Sequence, residues 1–331
     1  MARRPLHRAT AFLTASLVLA GCATTQAGRI GGDDGRDACR AQLVALDSTG
    51  DYYGEDILQG AAIGALGGAA IGGLATGNWR GALIGAAVGG ATGAAVGYYS
   101  ALQRQARDQQ AIFAQMSNDL SRENAQLDRT QVAFDQLTDC RLRTASRVRD
   151  LVKSGRMDRN QGLAQMAEIR GRFQSDIQIA QRINGSITSR GAQFDTAFDS
   201  ALPGGKASVM TASYRPQPVR LAARRAVPIK FSPNTDSPEI GQVNAQDVVA
   251  TRPGPAGFVQ VETSAGLRGY APADAFPAAP RGTRQAAAAP AGNGDVRQLA
   301  ATNISRRDNF TESVGNAERL AQAGGGFELA G

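Results

Sequence analysis

The sequence predicts a mainly α-helical chain that carries one small all-β domain near its C-terminus. Three observations support this prediction: glycine recurs every fourth residue through two uncharged runs, a long stretch without glycine or proline follows, and short β-type runs come after a linker. Aromatic residues make up only 5% of the 331 residues, and 40 residues are glycine. A single large globular core is therefore not expected.

The N-terminus has the pattern of a secretory signal. Basic residues precede an apolar run, residues 9–19, and the sequence Leu-Ala-Gly leads directly to Cys22. This motif resembles the lipobox of bacterial lipoproteins, which implies removal of residues 1–21 and acylation of Cys22. The acyl chains would anchor the mature chain in membrane lipid, because each buried methylene contributes roughly 0.8 kcal/mol. Ala23 after the cysteine resembles outer-membrane routing, with the bulk of the chain in the periplasm.

The mature chain would contain no histidine, because His7 is the only one and lies within the signal. Histidine-dependent hydrolase chemistry and His-ligated zinc are then excluded. The first lysine is Lys153, far from the glycine-rich runs, which excludes a phosphate-binding P-loop there. We therefore expect a protein that is not an enzyme and uses no metal or cofactor. Export also removes the chain from nucleic acid, which is not an expected partner.

Cys39 and Cys140 are the two remaining cysteines, and a disulfide is their expected state in an exported chain. The bond would close a loop of about a hundred residues, with a stabilisation near 4–5 kcal/mol. If the segment after Tyr99 formed one straight helix, however, Cys140 would lie about 60 Å along it. A bent helix or an interchain disulfide would resolve this difficulty.

The segment between the signal and the glycine-rich runs predicts a tether and a short helix. Residues 22–36 are rich in Gly, Thr and Asp and predict a flexible tether. Within residues 37–56, Asp37 is a plausible helix cap, the helix is expected to end near Leu46, and a turn is expected at residues 47–51.

Residues 57–99 contain two uncharged runs of about twenty residues, the length that crosses a hydrocarbon layer of ~30 Å. Each run predicts a helix with a glycine stripe, which allows two backbones to approach closely. In water these glycines would cost up to about 1 kcal/mol each, so packing must stabilise the helices. The stripe residues are Gly60, Gly64, Gly68 and Gly72 in the first run and Gly81, Gly85, Gly89, Gly93 and Gly97 in the second.

Aromatic residues flank the two runs and occupy the turn between them: Tyr52, Tyr53, Trp79, Tyr98 and Tyr99. Aromatic rings favour the membrane–water boundary, which predicts a membrane-associated hairpin. The alternative is a hairpin buried in a soluble oligomer, with the tyrosines as ordinary packing contacts. Residues 60–99 resemble the glycine-zipper domain of small outer-membrane lipoproteins of the rickettsial surface-antigen type. The resemblance implies envelope integrity or helix-mediated self-association, hence a homo-oligomer, and no catalysis.

Residues 100–200 predict a long, coiled-coil-like helical hairpin. Apolar residues follow a partial heptad with polar gaps at Glu123 and Thr130, and a break at residues 154–156 marks the turn. Basic side chains surround this turn, which indicates a binding site for an anionic polymer or, alternatively, a solvated helix end. These residues are Arg141, Arg143, Arg147, Arg149, Lys153, Arg156 and Arg159.

The C-terminal third predicts a linker, a small barrel and a tail. Residues 201–222 are the linker, and residues 223–277 contain the β-type runs. Their motifs, from Phe-Ser-Pro through Phe-Val-Gln-Val to Gly-Tyr, resemble a bacterial SH3-like domain, which implies binding of peptidoglycan or a protein partner. Phe258 and Tyr270 are the candidate ligand groove; the alternative is barrel core, which is favoured for Phe258. Residues 278–331 predict a disordered, low-complexity tail with a marginal helix.

Together these features predict a lipid-anchored, non-catalytic envelope protein. An SH3-like domain would link the outer membrane to peptidoglycan or to a periplasmic partner. The alternative is a zipper-driven oligomeric assembly or a pore component of the envelope.

Overall fold

The computed structural model describes residues 25–53, 98–99, 102–103, 108–205, 207, 209, 218–255, 257–278, 295–323 and 326–329. Within these ranges, long helices pack side by side and an antiparallel β-sheet lies against them. The predicted mainly helical chain with a small all-β part is therefore confirmed. Cys22, Trp79 and the nine stripe glycines from Gly60 to Gly97 lie outside the described residues.

The predicted tether contains a short helix, α1, which spans Gln26–Ile30. Thr25 caps this helix, because its side-chain oxygen accepts a hydrogen bond from the backbone N–H of Gly28. Arg29 in its last turn forms a salt bridge of 2.8 Å with Asp47. The prediction of a flexible tether is thus wrong for this part of the segment, because an ion pair and a capped turn fix it.

The next helix, α2, covers residues 40–53 and is longer than predicted. The turn expected at residues 47–51 is helical instead. Ser48 and Thr49 donate their hydroxyls to carbonyl groups in the preceding turn at 2.8 and 2.7 Å, so these turn-favouring side chains fit within the helix. As predicted, the carboxylate of Asp37 caps the start of this region by accepting the backbone N–H of Cys39 at 2.9 Å.

The predicted helical hairpin consists of α3, Gln109–Lys153, and α4, Arg159–Ala201. Gly155, two residues after α3, terminates the helix, because its φ of +68° allows the backbone N–H of Arg156 to reach the carbonyl of Leu151 at 2.9 Å. Asp158 then caps α4 by accepting hydrogen bonds from two backbone N–H groups of its first turn. The turn therefore lies where the glycine-containing break was predicted.

A fifth helix, α5, spans Val296–Ala323 and packs between α3 and α4. Phe310 is fully buried, and its ring meets that of Phe134 edge-on with the ring centres 5.8 Å apart. After α5, Phe327 packs against Phe173 and is also buried. The helix predicted in the tail is therefore confirmed, but its marginal character is wrong, because α5 supplies an apolar face to the bundle.

The sheet contains six antiparallel strands in the spatial order β1-β4-β5-β6-β2-β3. Its first strand begins inside the predicted linker. The strands are β1 Val219–Ala222, β2 Val227–Lys230, β3 Glu239–Val243, β4 Val248–Pro253, β5 Phe258–Glu262 and β6 Arg268–Pro272.

The predicted SH3-like barrel is not closed, because the outer strands β1 and β3 do not pair with each other among the described residues. β2 joins β6 through a single residue pair, Lys230 with Tyr270, next to a register shift in the β2–β3 hairpin. The free side of β3 lies beside the C-terminal segment, where a Cβ on Gly326 would lie 3.7 Å from the carbonyl oxygen of Glu239. The tail therefore borders the edge that barrel closure would need.

Asn316 of α5 binds the backbone of the sheet. Asn316 accepts a hydrogen bond from the backbone N–H of Arg268 and donates one to its carbonyl, both at 2.9 Å. Buried side chains of the helices and of the sheet belong to one continuous apolar cluster. The β-part of the chain is consequently fixed on the bundle.

We expect Asn316→Ala to lower the free energy of unfolding by about 1–2 kcal/mol, because it leaves the N–H and the carbonyl of Arg268 without these partners. Chemical denaturation followed by circular dichroism would measure this. Asn160→Ala, at an exposed asparagine in the first turn of α4, is the matched control and should change the stability little. Equal effects of the two substitutions would contradict the role of Asn316.

Candidate functional site

The two cysteines form a disulfide within the chain, with their Cα atoms 5.9 Å apart. α2 runs antiparallel to α3, because Cys39 lies beside Cys140 whereas the carbonyl of Thr49 accepts a hydrogen bond from Gln126. The distance expected along a straight helix therefore creates no conflict. A bent helix is not required, since α2 itself folds back along α3.

Arg141 does not belong to the exposed basic cluster in which the sequence placed it. Its guanidinium group lies between the carboxylates of Asp37 and Asp176, and all three side chains are at most 5% exposed. Burial disfavours the charge on Arg141, but the hydrogen bonds to both carboxylates raise its pKa above the ordinary value. Burial also opposes ionisation of Asp37, yet the hydrogen bonds from Arg141 and from the Cys39 N–H keep the pKa of Asp37 below its usual range.

Asp176 is the more deeply buried of the two carboxylates. Burial raises its pKa, and the contact with Arg141 only partly offsets this effect. The three charges join the start of α2 to the centres of α3 and α4. This cluster therefore has a structural position, close to the disulfide.

A cavity of about 340 Å³ lies between α3, α5 and the sheet. Cavities of this size accommodate small ligands. Aromatic rings form one part of its wall, and amide, hydroxyl and charged groups form the rest. Its lining includes Phe134, Phe231 and Tyr270, together with Gln131, Asp135, Thr138, Gln260, Arg268, Asn309, Glu312, Ser313 and Asn316.

Two polar atoms in this wall have no hydrogen-bond partner among the described residues, the side-chain oxygens of Gln131 and Thr138. Thr138 is only 1% exposed, so its unpaired hydroxyl is costly unless water or a ligand reaches it. The amide nitrogen of Gln131 donates to Asp135 at 2.9 Å and to Ser313 at 3.0 Å. The cavity thus offers both free acceptors and a hydroxyl that can donate.

The charges around the cavity are unevenly compensated. Arg268 forms salt bridges of 2.9 Å with Glu262 and with Glu312, and these carboxylates raise its pKa despite its partial burial. Asp135 has no salt bridge within the described ranges, and burial raises its pKa to about 6. Its carboxyl is therefore able to gain a proton under mildly acidic conditions. The site suits a ligand rich in hydroxyl or amide groups.

Only one of the two residues of the predicted groove lines the cavity. Phe258 and Tyr270 lie on the same face of the sheet, because Phe258 pairs with Pro272 and Tyr270 pairs with Gln260. Tyr270 lines the cavity, and burial raises the pKa of its hydroxyl. Phe258 is half-buried and outside the cavity wall, so the expectation that it forms barrel core is wrong. The sheet core lies on the opposite face, which carries Val261.

We expect Asp135→Asn to stabilise the protein by about 1–2 kcal/mol at pH 7.5 and to have little effect near pH 4. The folded carboxyl has a pKa raised to about 6, so the native state binds its proton more readily than the unfolded chain, and the wild type gains stability as the pH falls through this range. Denaturation curves from pH 4 to 8 would show the effect.

Asp139→Asn, one turn further along α3 at an exposed salt bridge to Arg143, is the matched control. It should not reproduce the stabilisation at pH 7.5. If Asp135→Asn leaves the pH dependence of the wild type unchanged, the assignment of this carboxyl is incorrect.

Both ends of the glycine-rich segment meet the same part of α4. The guanidinium group of Arg190 lies 5.1 Å from the ring centre of Tyr52 and 5.7 Å from that of Phe194. The ring of Phe194 in turn contacts the ring of Tyr98, with the centres 5.2 Å apart. Arg190 also forms a salt bridge of 2.6 Å with Glu123 of α3, whose side chain is 1% exposed. We call these five residues the zipper base.

Residues 59–104 match the glycine-zipper family model. The match supports a glycine-zipper protein of the outer-membrane type. Comparisons with curated proteins and with solved structures give no match. None of the helices within the described ranges combines the length and the apolar character needed to span a membrane.

The tyrosines that flank the glycine zipper make protein contacts. Tyr53 is fully buried, and its hydroxyl lies 3.4 Å from that of Thr130. Tyr98 donates its hydroxyl to Asp119 at 2.8 Å, and burial together with that carboxylate raises its pKa. Tyr99 packs against a second apolar cluster of the helices, which includes Leu120 and Phe194. The prediction of a membrane boundary is therefore wrong for Tyr53, and the zipper joins the bundle through packed aromatic side chains.

Sequence reasoning missed most of the cavity. Asp135, Gln131 and Thr138 lie on α3, where only the apolar residues follow a recognisable spacing. Thr138 had a signal, because it follows Phe134 by four residues and so falls on the buried face of α3. Within the described ranges, no three metal-ligating side chains converge on a possible metal site.

Proposed function

We propose that this protein is a non-catalytic lipoprotein that links the outer membrane to the peptidoglycan layer. The glycine-zipper match at residues 59–104 and the lipobox-like sequence before Cys22 support the membrane end of this link. A membrane lipid would hold the acylated Cys22, and the zipper would add helix-mediated self-association. The folded part of the chain, from α2 to the tail, would contact the wall.

The zipper base is the observation that carries this proposal. Tyr53 precedes the zipper segment and Tyr98 follows it. On α4 the two flanks lie one turn apart, because Tyr52 contacts Arg190 and Tyr98 contacts Phe194. The two flanks of the zipper segment are thus held by the same part of α4. A membrane that holds the zipper leaves the rest of the body accessible to another surface.

The cavity supports the other end of the link. α2 packs on α3 through Gln126 and Thr130, whereas Gln131 and Thr138 face the cavity beside the sheet. Its free acceptors, hydroxyl and aromatic rings suit the hydroxyl and amide groups of sugars and peptides, which peptidoglycan carries. Membrane attachment and wall binding would therefore use different sides of α3.

Two measurements test the proposal with the full chain. Labelled palmitate should be incorporated by the wild type and not by Cys22→Ala when each is produced in a bacterium that processes lipoproteins. The wild-type chain, solubilised in detergent, should co-sediment with isolated sacculi. A chain that stays in the supernatant as a discrete oligomer would overturn the link to peptidoglycan and would favour a zipper-driven assembly or pore component.

A further inference from the structure

A second, larger groove of about 1000 Å³ lies at the turn between α3 and α4. The β2–β3 hairpin forms its opposite wall, and Leu329 of the tail also borders it. The groove brings together six basic side chains and three acidic ones. The basic residues are Arg143, Arg147, Arg149, Lys153, Arg159 and Lys230; the acidic residues are Asp150, Asp236 and Glu239. We call this site the basic groove.

The basic groove carries a positive net charge, and four of its six cations form no salt bridge among the described residues. Arg143 pairs with Asp139 at 2.6 Å, and Lys230 pairs with Glu239 at 3.1 Å. The other four cations, on α3 and at the start of α4, have no salt bridge in the part of the chain that the structure describes. The helical turn alone did not define this site, because Lys230 comes from the sheet and Arg141 is withdrawn into the buried cluster.

The spacing of these cations favours a ligand with several negative charges. From Arg143 to Lys153 the groove follows α3 for about 15 Å. A single exposed ion pair contributes little, typically below about 1 kcal/mol, so binding along this length requires several anionic groups on one ligand. Arginine is well suited to carboxylates, because its planar guanidinium group can donate two parallel hydrogen bonds to both oxygens.

We propose that the basic groove binds the carboxylate groups of peptidoglycan peptides, an inference that rests on the proposed function. The groove lies about 24 residues further along α3 than Glu123 of the zipper base, or about 35 Å. The groove is therefore separated from the zipper base by roughly the thickness of a small domain. That position favours the wall polymer over the anionic lipids of a membrane that holds the zipper.

The experiment compares two charge reversals in the full chain in detergent. Arg147→Glu with Lys153→Glu changes two exposed cations of the groove, and Arg122→Glu with Arg129→Glu makes the same charge change at exposed sites near the zipper base. The groove variant should bind isolated sacculi at least tenfold more weakly than the wild type. The control should bind within twofold of the wild type, and helical circular dichroism should be unchanged in both.

Raising the salt concentration should weaken the binding of the wild type to sacculi and change the binding of the groove variant little, because salt screens the contacts between charges. The milder pair Arg147→Gln with Lys153→Gln should give an intermediate loss. Equal sedimentation of the groove variant and the wild type would overturn the inference and leave the proposed function intact. If the wild type fails to sediment, the proposed function itself falls. If the groove substitutions weaken binding to anionic vesicles but not to sacculi, the inference about the basic groove is also overturned.

Discussion

Replacing both Cys39 and Cys140 by alanine is expected to lower the free energy of unfolding by about 4 kcal/mol. The disulfide joins residues 101 positions apart, and closing a loop of that length removes much of the conformational freedom of the unfolded chain. The loss is large compared with the typical stability of a domain, about 5–15 kcal/mol. Denaturant titration of the full chain in detergent, followed by helical circular dichroism, would measure it.

A reducing agent supplies the control for this prediction. Reduction should destabilise the wild type by a similar amount, whereas the double alanine variant should not respond. Comparable stability of the oxidised wild type and the double variant would show that the loop is already constrained in the unfolded state.

Arg141→Leu is expected to destabilise the protein by about 3–5 kcal/mol at neutral pH. The substitution leaves the carboxylates of Asp37 and Asp176 buried without the cation that lies between them, and such unpaired buried charges are costly. Because protonation relieves this penalty, the loss should diminish as the pH falls towards 4. Urea titration at several pH values would reveal both effects.

Arg143→Leu is the matched control, two residues further along the same helix. Its side chain is 49% exposed and forms a surface ion pair with Asp139, so the expected change is below about 1 kcal/mol. Similar losses for the two leucine variants would argue against a special role of the buried cluster.

Local sequence signals predicted the helical hairpin well. The absence of glycine and proline before Ser154 allowed a long α3, and Gly155 supplied the left-handed residue that ends it. The polar gaps in the heptad also carried information. Glu123 and Thr130 occupy buried positions, where they contact Arg190 of α4 and Tyr53 before the zipper, respectively.

Long-range contacts explain what the sequence did not predict. α5 is rich in alanine, arginine and asparagine, and its burial depends on α3 and α4, which end more than ninety residues earlier. The sheet was expected as an independent barrel, but Asn316 of α5 binds the backbone of β6. The cavity exists only because these distant segments meet. No local period indicates such a site.

The disulfide also sets how the chain would carry mechanical tension. Cys39 precedes the zipper segment and Cys140 follows it, so the covalent bond connects the N-terminal segment directly to the C-terminal half of α3. A pull on that segment passes through the sulfur bridge into the bundle and bypasses residues 54–97. A protease cut between Tyr53 and Tyr98 would leave the two fragments joined until the bond is reduced. The covalent path between the two ends of the molecule therefore does not depend on the zipper segment.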